Sequence, residues 1–182
     1  MDIIQSFDFW VVNAIQEVMK CDFLNVLMPF VSELSTVIWP LLGIIFLFFK
    51  KQRFAGIKII AAFTFAVLIT EFLVKPIFMR ERPYMLNAEH ILLVAEPFGS
   101  SFPSGHTSTS FAAAVQFFGI NKKAGIGALV FAILTGFSRL YLYVHFPTDV
   151  LGGIILGTFV GILVIIISGK IRLKISERGK NQ

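Results

Sequence analysis

Three short segments of the chain carry residues whose types and spacing suit the binding and transfer of a phosphate group. Basic side chains, two histidines and one aspartate fall within these segments, which are 75–83 (KPIFMRERP), 103–106 (PSGH) and 138–149 (SRLYLYVHFPTD). The surrounding chain is mostly apolar, and ionisable groups held close to a membrane more often serve function than structure. We therefore treat the three segments as one candidate phosphate site.

The basic residues Lys75, Arg82 and Arg139 are the candidate phosphate ligands. Arginine offers a planar fork of donors to phosphate, whereas lysine acts as a point charge. Three such cations could hold a phosphate dianion and stabilise the charge on its equatorial oxygens during transfer. Any one of them could instead snorkel at the membrane boundary, but three together with the histidines favour a site. Arg80, one residue before Glu81, is interpreted as a boundary charge or a rim contact.

The segment around Ser104 has the pattern of a helix start that faces an anion. Pro103 precedes a helical run, so Ser104 is predicted to cap that helix with its side chain. Gly105 permits close approach of the backbone, and the free N–H groups of the first turn would face a phosphate. His106 would then lie within reach of a leaving-group oxygen.

The last segment pairs a histidine with a carboxylate, since Asp149 follows His145 by four residues. Pro147 between them predicts a loop-to-helix junction with Asp149 in the first helical turn. A carboxylate bonded to one ring nitrogen fixes the tautomer and makes the other nitrogen a better nucleophile. The third histidine, His90, lies beside Glu89 without a spaced partner, and we interpret it as structural or surface-exposed. No histidine or acidic cluster has the spacing of metal ligands, so no metal site is predicted.

The composition predicts an integral membrane protein. Of the 182 residues 56% are hydrophobic, and the mean hydropathy is +0.81. That is enough for about five membrane-spanning helices of roughly 20 residues each. The net charge of +5 does not indicate nucleic-acid binding, because the basic surplus lies in short loops beside apolar runs. The single cysteine, Cys21, excludes an intrachain disulfide.

The hydrophobic runs predict an all-α fold, a polytopic bundle of about five to six transmembrane helices forming one domain over residues 1–182. The first helix, about 3–20, is predicted to be amphipathic and interfacial, with Asp8 on its polar face, and a first membrane span is the alternative. Residues 23–34 are interrupted by Pro29 and could form a separate re-entrant or interfacial helix. The predicted spans are about 35–49, 55–74, 103–120, 124–143 and 147–168.

The distribution of Lys and Arg predicts the orientation in the membrane. Most of the 16 basic residues fall at one end of the predicted bundle, namely Lys50, Lys51, Arg53, Lys58, Lys122, Lys123, Lys170, Arg172, Lys174, Arg178 and Lys180. By the positive-inside rule this end and the C-terminus are cytoplasmic. The phosphate site is then expected to face the extracytoplasmic side.

Taken in order, the three segments resemble the tripartite signature of the type 2 phosphatidic acid phosphatase superfamily. The matching pattern is Lys75-x6-Arg82-Pro83, Pro103-Ser104-Gly105-His106 and Ser138-Arg139-x5-His145-x3-Asp149. The resemblance covers about residues 54–168 and implies a metal-independent phosphatase without a cofactor. It implies that His145 attacks phosphorus to form a phosphohistidine, that Asp149 orients His145, and that His106 protonates the leaving oxygen. The implied phosphate ligands are Lys75, Arg82, Ser104, Gly105 and Arg139.

The resemblance implies a membrane lipid as the partner and substrate. Small outward-facing members of the superfamily often recycle a polyprenyl carrier, so by analogy the expected substrate is undecaprenyl or another polyprenyl diphosphate. Phosphatidylglycerol phosphate and phosphatidate are the alternatives. A lipid phosphotransferase would use the same first half-reaction and stays open. The soluble vanadium haloperoxidases share the motif, but the spans argue against them. A non-catalytic lipid-binding protein is disfavoured because both histidines are intact.

Three further features give expectations about packing. Glu71, one helical turn before Lys75, could hold that lysine as an ion pair. A second feature is a set of glycines at four-residue spacing in the last span, which predicts close helix contact within the bundle rather than a dimer face. They are Gly153, Gly157 and Gly161. The third is the apolar loop 84–102, which could dip into the outer leaflet through Leu92 and Leu93 or simply pack over the bundle.

Overall fold

The computed structural model describes residues 3–87 and 90–180, without the side chains of residues 175, 176 and 178–180. Glu89, expected beside His90, lies outside the described residues, as do the side chains of Arg178 and Lys180 in the basic tail. All the regular secondary structure in those two ranges is helical, with no strand among the described residues. The prediction of an all-α membrane bundle is therefore confirmed.

Seven α-helices follow one another along the described residues. Between α3 and α4 the helix continues through one π-helical stretch, Ile69–Val74, and a short 3₁₀ turn, Pro83–Met85, follows α4. The α-helices are α1 (Ile3–Met19), α2 (Asp22–Phe48), α3 (Arg53–Leu68), α4 (Lys75–Phe78), α5 (Gly105–Phe117), α6 (Lys122–Tyr141) and α7 (Pro147–Lys180).

Four helical segments of the described chain are long and apolar enough to cross a membrane. They are Asp22–Phe48, Arg53–Met85, Lys122–Tyr141 and Pro147–Lys174. The fifth predicted span, 103–120, corresponds to α5, which has 13 residues and is therefore only about 20 Å long. Because α5 packs against α3, α6 and α7 and most of its residues are buried, it lies inside the bundle and needs little lipid contact.

Helix α2 differs from its prediction. It runs without interruption from Asp22 to Phe48, through both Pro29 and Pro40, so the separate re-entrant segment over 23–34 is not observed. Proline is tolerated in membrane helices because packed neighbours stabilise the locally altered backbone. Here α2 packs along both α3 and α6, and these contacts keep it continuous.

Three glycines of α7 form the surface against which α5 packs. A Cβ atom built on Gly157 would lie 2.2 Å from the carbonyl oxygen of Ser108, and one built on Gly153 would lie 2.7 Å from that of Ser104. Gly161 meets the α5 backbone in the same way, 2.9 Å from the oxygen of Ala112. The predicted packing within the bundle is confirmed, and it brings the start of α7 against the start of α5.

Helix α1 is amphipathic as predicted, but one polar residue is placed differently. Ile3 and Trp10 are exposed on its outer face, whereas Val12 is fully buried. Asp8 was expected on the polar face, and it too is fully buried. The reason is that α1 packs on α6 and α7, where Asp8 finds partners that periodicity alone does not show.

The two ends of the bundle differ in character. Lys58 of α3 and Arg172 of α7 both lie over the ring of Phe54, at 5.6 and 5.8 Å from its centroid. The loops that join α2 to α3 and α5 to α6 belong to the same end. The candidate site residues lie at the opposite end, and which end is cytoplasmic stays a prediction from the charge distribution.

Candidate active site

A cavity of about 270 Å³ collects most of the sequence-predicted site residues. Helix α3 and its π-helical extension supply one wall, the start of α5 a second, and the α6–α7 loop a third. The predicted residues that line it are Lys75, Arg82, Gly105, His106, Arg139 and His145. Ser104 and Asp149 are fully buried and support this lining from behind.

His145 and Asp149 meet through a serine that was not predicted. Asp149 Oδ2 is 3.7 Å from His145 Nδ1, which is an ion-pair distance rather than a hydrogen bond. Ser101 Oγ donates to Asp149 Oδ2 at 2.5 Å and lies 3.4 Å from His145 Nδ1. The backbone N–H of Phe146 also donates to Oδ2, at 2.8 Å. Asp149 is thereby fixed in the first turn of α7, as the sequence predicted.

The protonation of the His145 ring follows from its partners. Burial, together with the nearby guanidinium groups of Arg82 and Arg139, lowers the pKa of His145 to about 3, although Asp149 acts in the opposite direction. The ring is therefore neutral at physiological pH. Arg82 Nη1 lies 3.2 Å from Nε2, and an arginine can only donate, so Nε2 carries the lone pair and Nδ1 the proton. This tautomer suits nucleophilic attack by Nε2.

Arg82 is both a site residue and the anchor of the loop above the site. Its side chain is 2% exposed, and its donors reach the carbonyl oxygens of Phe98, Gly99, Ser100 and Val144 at 3.0 to 3.2 Å. Carbonyl groups therefore occupy much of the fork that was predicted to bind phosphate. Nη1 also lies 3.2 Å from His145 Nε2, so a phosphate oxygen would bind there only by replacing that contact.

Arg139 is the more available arginine. Its side chain is 3% exposed, its Nη1 donates to Ser32 Oγ of α2, and its Nε has no hydrogen-bond partner among the described residues. A buried donor without a partner is unfavourable unless a ligand or water supplies one. Because Arg139 lines the cavity, this arrangement suits an anion there.

Lys75 is held by the predicted ion pair, since its Nζ lies 2.6 Å from Glu71 Oε1. Both residues lie at the π-helical stretch, a distortion that is frequent at functional sites. Gly105 faces this pair, and a Cβ there would lie 2.8 Å from the same Glu71 oxygen, so a larger residue would displace the Glu71 carboxylate. The glycine thus lets the start of α5 approach the Glu71–Lys75 pair, a contact that the sequence analysis did not name.

The predicted side-chain cap at Ser104 is wrong. Ser104 does precede the first turn of α5, but its hydroxyl makes no capping bond and instead accepts from Thr107 Oγ1 at 2.9 Å. Its backbone N–H donates to the carbonyl oxygen of Asp149 at 3.0 Å, which ties α5 to α7. The turn that carries His106 is therefore positioned by helix packing rather than by a cap.

Arg80 was interpreted as a boundary charge, and the structure corrects this. Its Nη1 donates to Asp149 Oδ1 and its Nη2 to Asp8 Oδ2, both at 2.6 Å. Its guanidinium also covers the ring of Phe146, 4.4 Å from the centroid. Neither Ser101 nor Asp8 has a sequence signal that links it to the site, whereas Arg80 lies within the first segment and was discounted because of Glu81.

The loop 84–102 packs over the bundle and also exposes apolar groups. Leu92 and Val94 pack against a buried cluster that includes Met28 and Leu142, whereas Leu93 is 41% and Phe98 is 99% exposed. His90 stacks on Tyr143, with ring centroids 4.1 Å apart. These contacts support a structural role for His90.

The candidate site residues fall within a region that is similar to known proteins. The profile of the PAP2 superfamily matches residues 55–173. Undecaprenyl-diphosphatase BcrC of Bacillus subtilis (strain 168) is 32% identical over 146 residues, which are 77% of this chain and 72% of that protein. Phosphatidylglycerophosphatase B of the same strain is 34% identical over 157 residues, covering 78% and 74% of the two chains.

A solved structure is similar over nearly the whole chain. The crystal structure of the transmembrane PAP2 type phosphatidylglycerolphosphate phosphatase from Bacillus subtilis superposes with a TM-score of 0.79 and 29% sequence identity. The match covers 94% of this chain and 89% of that one, so it includes the N-terminal helices outside the matched profile. The chain therefore belongs to the PAP2 superfamily and is a multi-pass, metal-independent membrane lipid phosphatase.

Proposed function

We propose that this phosphatase hydrolyses a lipid diphosphate or phosphomonoester through a phosphohistidine on His145, and that undecaprenyl diphosphate is its preferred substrate. The observation that carries the proposal is the state of the His145 ring. Its Nε2 lies 3.2 Å from Arg82 Nη1 and carries the lone pair. The cavity that it faces is also lined by Lys75 and Arg139. A neutral nucleophile thus lies beside three cations that attract a phosphate.

In the first half-reaction His145 Nε2 attacks phosphorus while the bond to the lipid-side oxygen breaks. Burial, followed by the nearby cations, lowers the pKa of His106 in the empty site, so His106 gains its proton only when the negative charge of the substrate phosphate is bound. It then donates that proton to the departing oxygen, and a neutral or singly charged lipid product leaves. The imidazole gains positive charge as the P–N bond forms, and Asp149 with Ser101 stabilises this charge from the Nδ1 side. Lys75, Arg82, Arg139 and the turn at Ser104 and Gly105 bind the equatorial oxygens.

In the second half-reaction a water molecule attacks the phosphorus of the phosphohistidine. His106, now neutral, accepts a proton from that water, and the P–N bond breaks to return its electron pair to Nε2. The products are inorganic phosphate and the dephosphorylated lipid, and both histidines regain their starting state. Transfer to a lipid hydroxyl would follow the same route with a different acceptor.

The shape of the cavity supports a substrate with a tail in the bilayer. Beneath the cations the cavity is lined by Thr36 of α2 and by Phe63 and Val67 of α3, which lie within membrane-spanning segments. A chain attached to the bound phosphate can therefore continue between these helices. The similarity to undecaprenyl-diphosphatase BcrC supports a polyprenyl diphosphate. Similarity to phosphatidylglycerolphosphate phosphatases makes phosphatidylglycerol phosphate the second candidate.

The charge distribution supports an extracytoplasmic site. The basic loops and the end of α7 share one end of the bundle, and short basic loops stay in the cytoplasm. We expect a C-terminal tag to be protected from protease in sealed cells and accessible after lysis. Protease access without lysis would reverse the proposed orientation.

The proposed reaction is tested by phosphate release from purified protein in detergent with EDTA present. Undecaprenyl diphosphate, phosphatidylglycerol phosphate and phosphatidate are offered in parallel, with His145→Ala as the matched blank. We expect release that requires His145 and is fastest with the polyprenyl diphosphate. Equal release by His145→Ala would refute the phosphohistidine. A dephosphorylated donor lipid together with a phosphorylated acceptor lipid, formed without release of inorganic phosphate and only when an acceptor lipid is added, would identify a transferase.

A further inference from the structure

Asp8 is an unusual buried charge because it lies in α1, far from the family signature in sequence. Its side chain is 0% exposed, and it accepts three hydrogen bonds from two residues of the site region. Thr148 donates from its N–H at 3.1 Å and from its Oγ1 at 2.5 Å, and Arg80 Nη2 donates at 2.6 Å. Burial of a carboxylate is unfavourable unless it is paired and fully hydrogen-bonded, and this one is.

Arg80 connects this carboxylate to the nucleophile's partner. One nitrogen of its fork donates to Asp8 Oδ2 and the other to Asp149 Oδ1, both at 2.6 Å. The Nη1 group also donates to Thr148 Oγ1 at 2.7 Å. Since the guanidinium is planar and rigid, fixing one side of the fork fixes the direction of the other. Asp8 therefore sets where Arg80 meets Asp149.

The orientation of Asp149 matters because its two oxygens have different tasks. Oδ1 accepts a hydrogen bond from Arg80. Oδ2 accepts hydrogen bonds from Ser101 Oγ and from the N–H of Phe146, and it lies 3.7 Å from His145 Nδ1. A rotation of the carboxylate towards Arg80 would lengthen the Oδ2 contact with the imidazole. Arg80 shared between two carboxylates pulls less strongly on Asp149 than Arg80 paired with Asp149 alone.

We propose that Asp8 and Arg80 are positioning residues that hold Asp149, and through it His145, in the reactive arrangement. The proposal rests on the proposed phosphohistidine reaction and extends the working site to α1, outside the matched residues 55–173. Neither side chain needs to touch the substrate, because Arg80 already binds two carboxylates. The helix before the family core is thus part of the catalytic apparatus rather than a membrane anchor alone.

The first test is the kinetic effect of Asp8→Asn in the full-length protein. The amide preserves the size but presents a donor or a neutral oxygen to Arg80, so the fork loses its anionic anchor. We expect kcat to fall roughly 10- to 100-fold while KM changes little, because misplacement by an ångström or less acts on the chemical step. The matched control is Asn13→Ala, which removes the 2.7 Å bond from Tyr143 to α1 without reaching Arg80 or Asp149.

The second test distinguishes positioning from simple anchoring of α1. If Asp8 acts through Asp149, its replacement should have no further effect on kcat in an Asp149→Asn background. An activated aryl phosphate and long reaction times make the low residual rates measurable. Multiplied losses in the double variant would overturn the proposal, as would a rise in KM with kcat unchanged.

Two controls separate failure of the proposal from other failures. Release by His145→Ala equal to that of the unaltered protein would refute the proposed reaction itself, whereas a normal rate for Asp8→Asn in an active preparation would refute only the positioning role. If Asp8→Asn does not fold, Arg80→Lys keeps the charge but cannot bridge two carboxylates. We expect the same loss of kcat with Arg80→Lys, and a normal kcat would overturn the proposal.

Discussion

The contact of α5 with α7 can be tested by adding one methyl group at Gly157. The new Cβ would lie 2.2 Å from the carbonyl oxygen of Ser108, 2.9 Å from its carbonyl carbon and 3.0 Å from Cβ of Phe111. Ordinary contact begins at 3.4 Å, so the overlap is about 1 Å. The nearest atom belongs to a helix backbone and cannot rotate away, so the two helices must separate.

The separation has two measurable consequences. Overpacking of this kind destabilises a fold by about 1–3 kcal/mol, and at about 2 kcal/mol the Tm of a chain of this size falls by roughly 4–8 °C. The same shift moves the start of α5, with Ser104 and His106, away from His145 on the α6–α7 loop. A displacement of about 1 Å in a site reduces turnover about 100-fold, so activity should fall much more than stability.

The assay compares Gly157→Ala with Gly169→Ala in the same helix. A Cβ at Gly169 meets nothing within 4 Å, and alanine is favoured over glycine in a helix, so this control should retain both Tm and turnover. Both are measured in one detergent, Tm from thermal unfolding and turnover from phosphate release. Equal Tm and equal turnover for the two variants would refute the close packing of α5 on α7.

Three other substitutions test the surroundings of the site. Ser101→Ala removes the 2.5 Å bond to Asp149, and we expect kcat to fall about 10-fold with KM unchanged; a normal kcat contradicts its role. Glu71→Gln removes the anionic partner of Lys75 at 2.6 Å, and KM should rise about 5-fold, as for an ion pair of about 1 kcal/mol; unchanged kinetics would make the pair irrelevant. Leu93→Glu should slow turnover of a long-chain lipid about 5-fold, since a charge at the bilayer interface costs on the order of 1 kcal/mol. Turnover of a water-soluble aryl phosphate measures the site alone, and an equal loss there would exclude a role of Leu93 in lipid entry.

Much of the fold and cavity lining could be predicted because the signals are local. Helical runs follow from hydropathy, and the glycine spacing in α7 indicated a close helix contact without naming α5 as the partner. The Glu71–Lys75 pair follows from a separation of one helical turn. His145 and Asp149 are likewise four residues apart, with a proline that fixes the junction between them. In each case the signal itself lies within a few residues or along one helix face, even where the partner, as for α7, is a distant helix.

The features that could not be predicted depend on contacts between distant segments. Asp8 reaches Arg80 across 72 positions and Ser101 reaches Asp149 across 48, and neither contact leaves a periodic trace. The hydroxyl of Ser104 could serve as a cap in isolation, but in the folded bundle it accepts from Thr107 instead. Tertiary packing decides such choices, because several local partners are nearly equivalent in energy.

The charged groups of the site lie on opposite sides of the His145 ring, with the carboxylates on the Nδ1 side and the cations on the Nε2 side. This separation gives each group a different task. Behind Nδ1, one guanidinium is shared between the buried carboxylates of Asp8 and Asp149, which leaves a net negative charge on that side. The cations beyond Nε2 attract the phosphate and stabilise its oxygens. In the proposed reaction the imidazole would become positive as the P–N bond forms, and the negative group behind it would stabilise that charge. A single carboxylate fully paired with Arg80 would be neutral and would stabilise that charge less, so the second carboxylate on α1 completes the electrostatic arrangement that the proposed reaction would need.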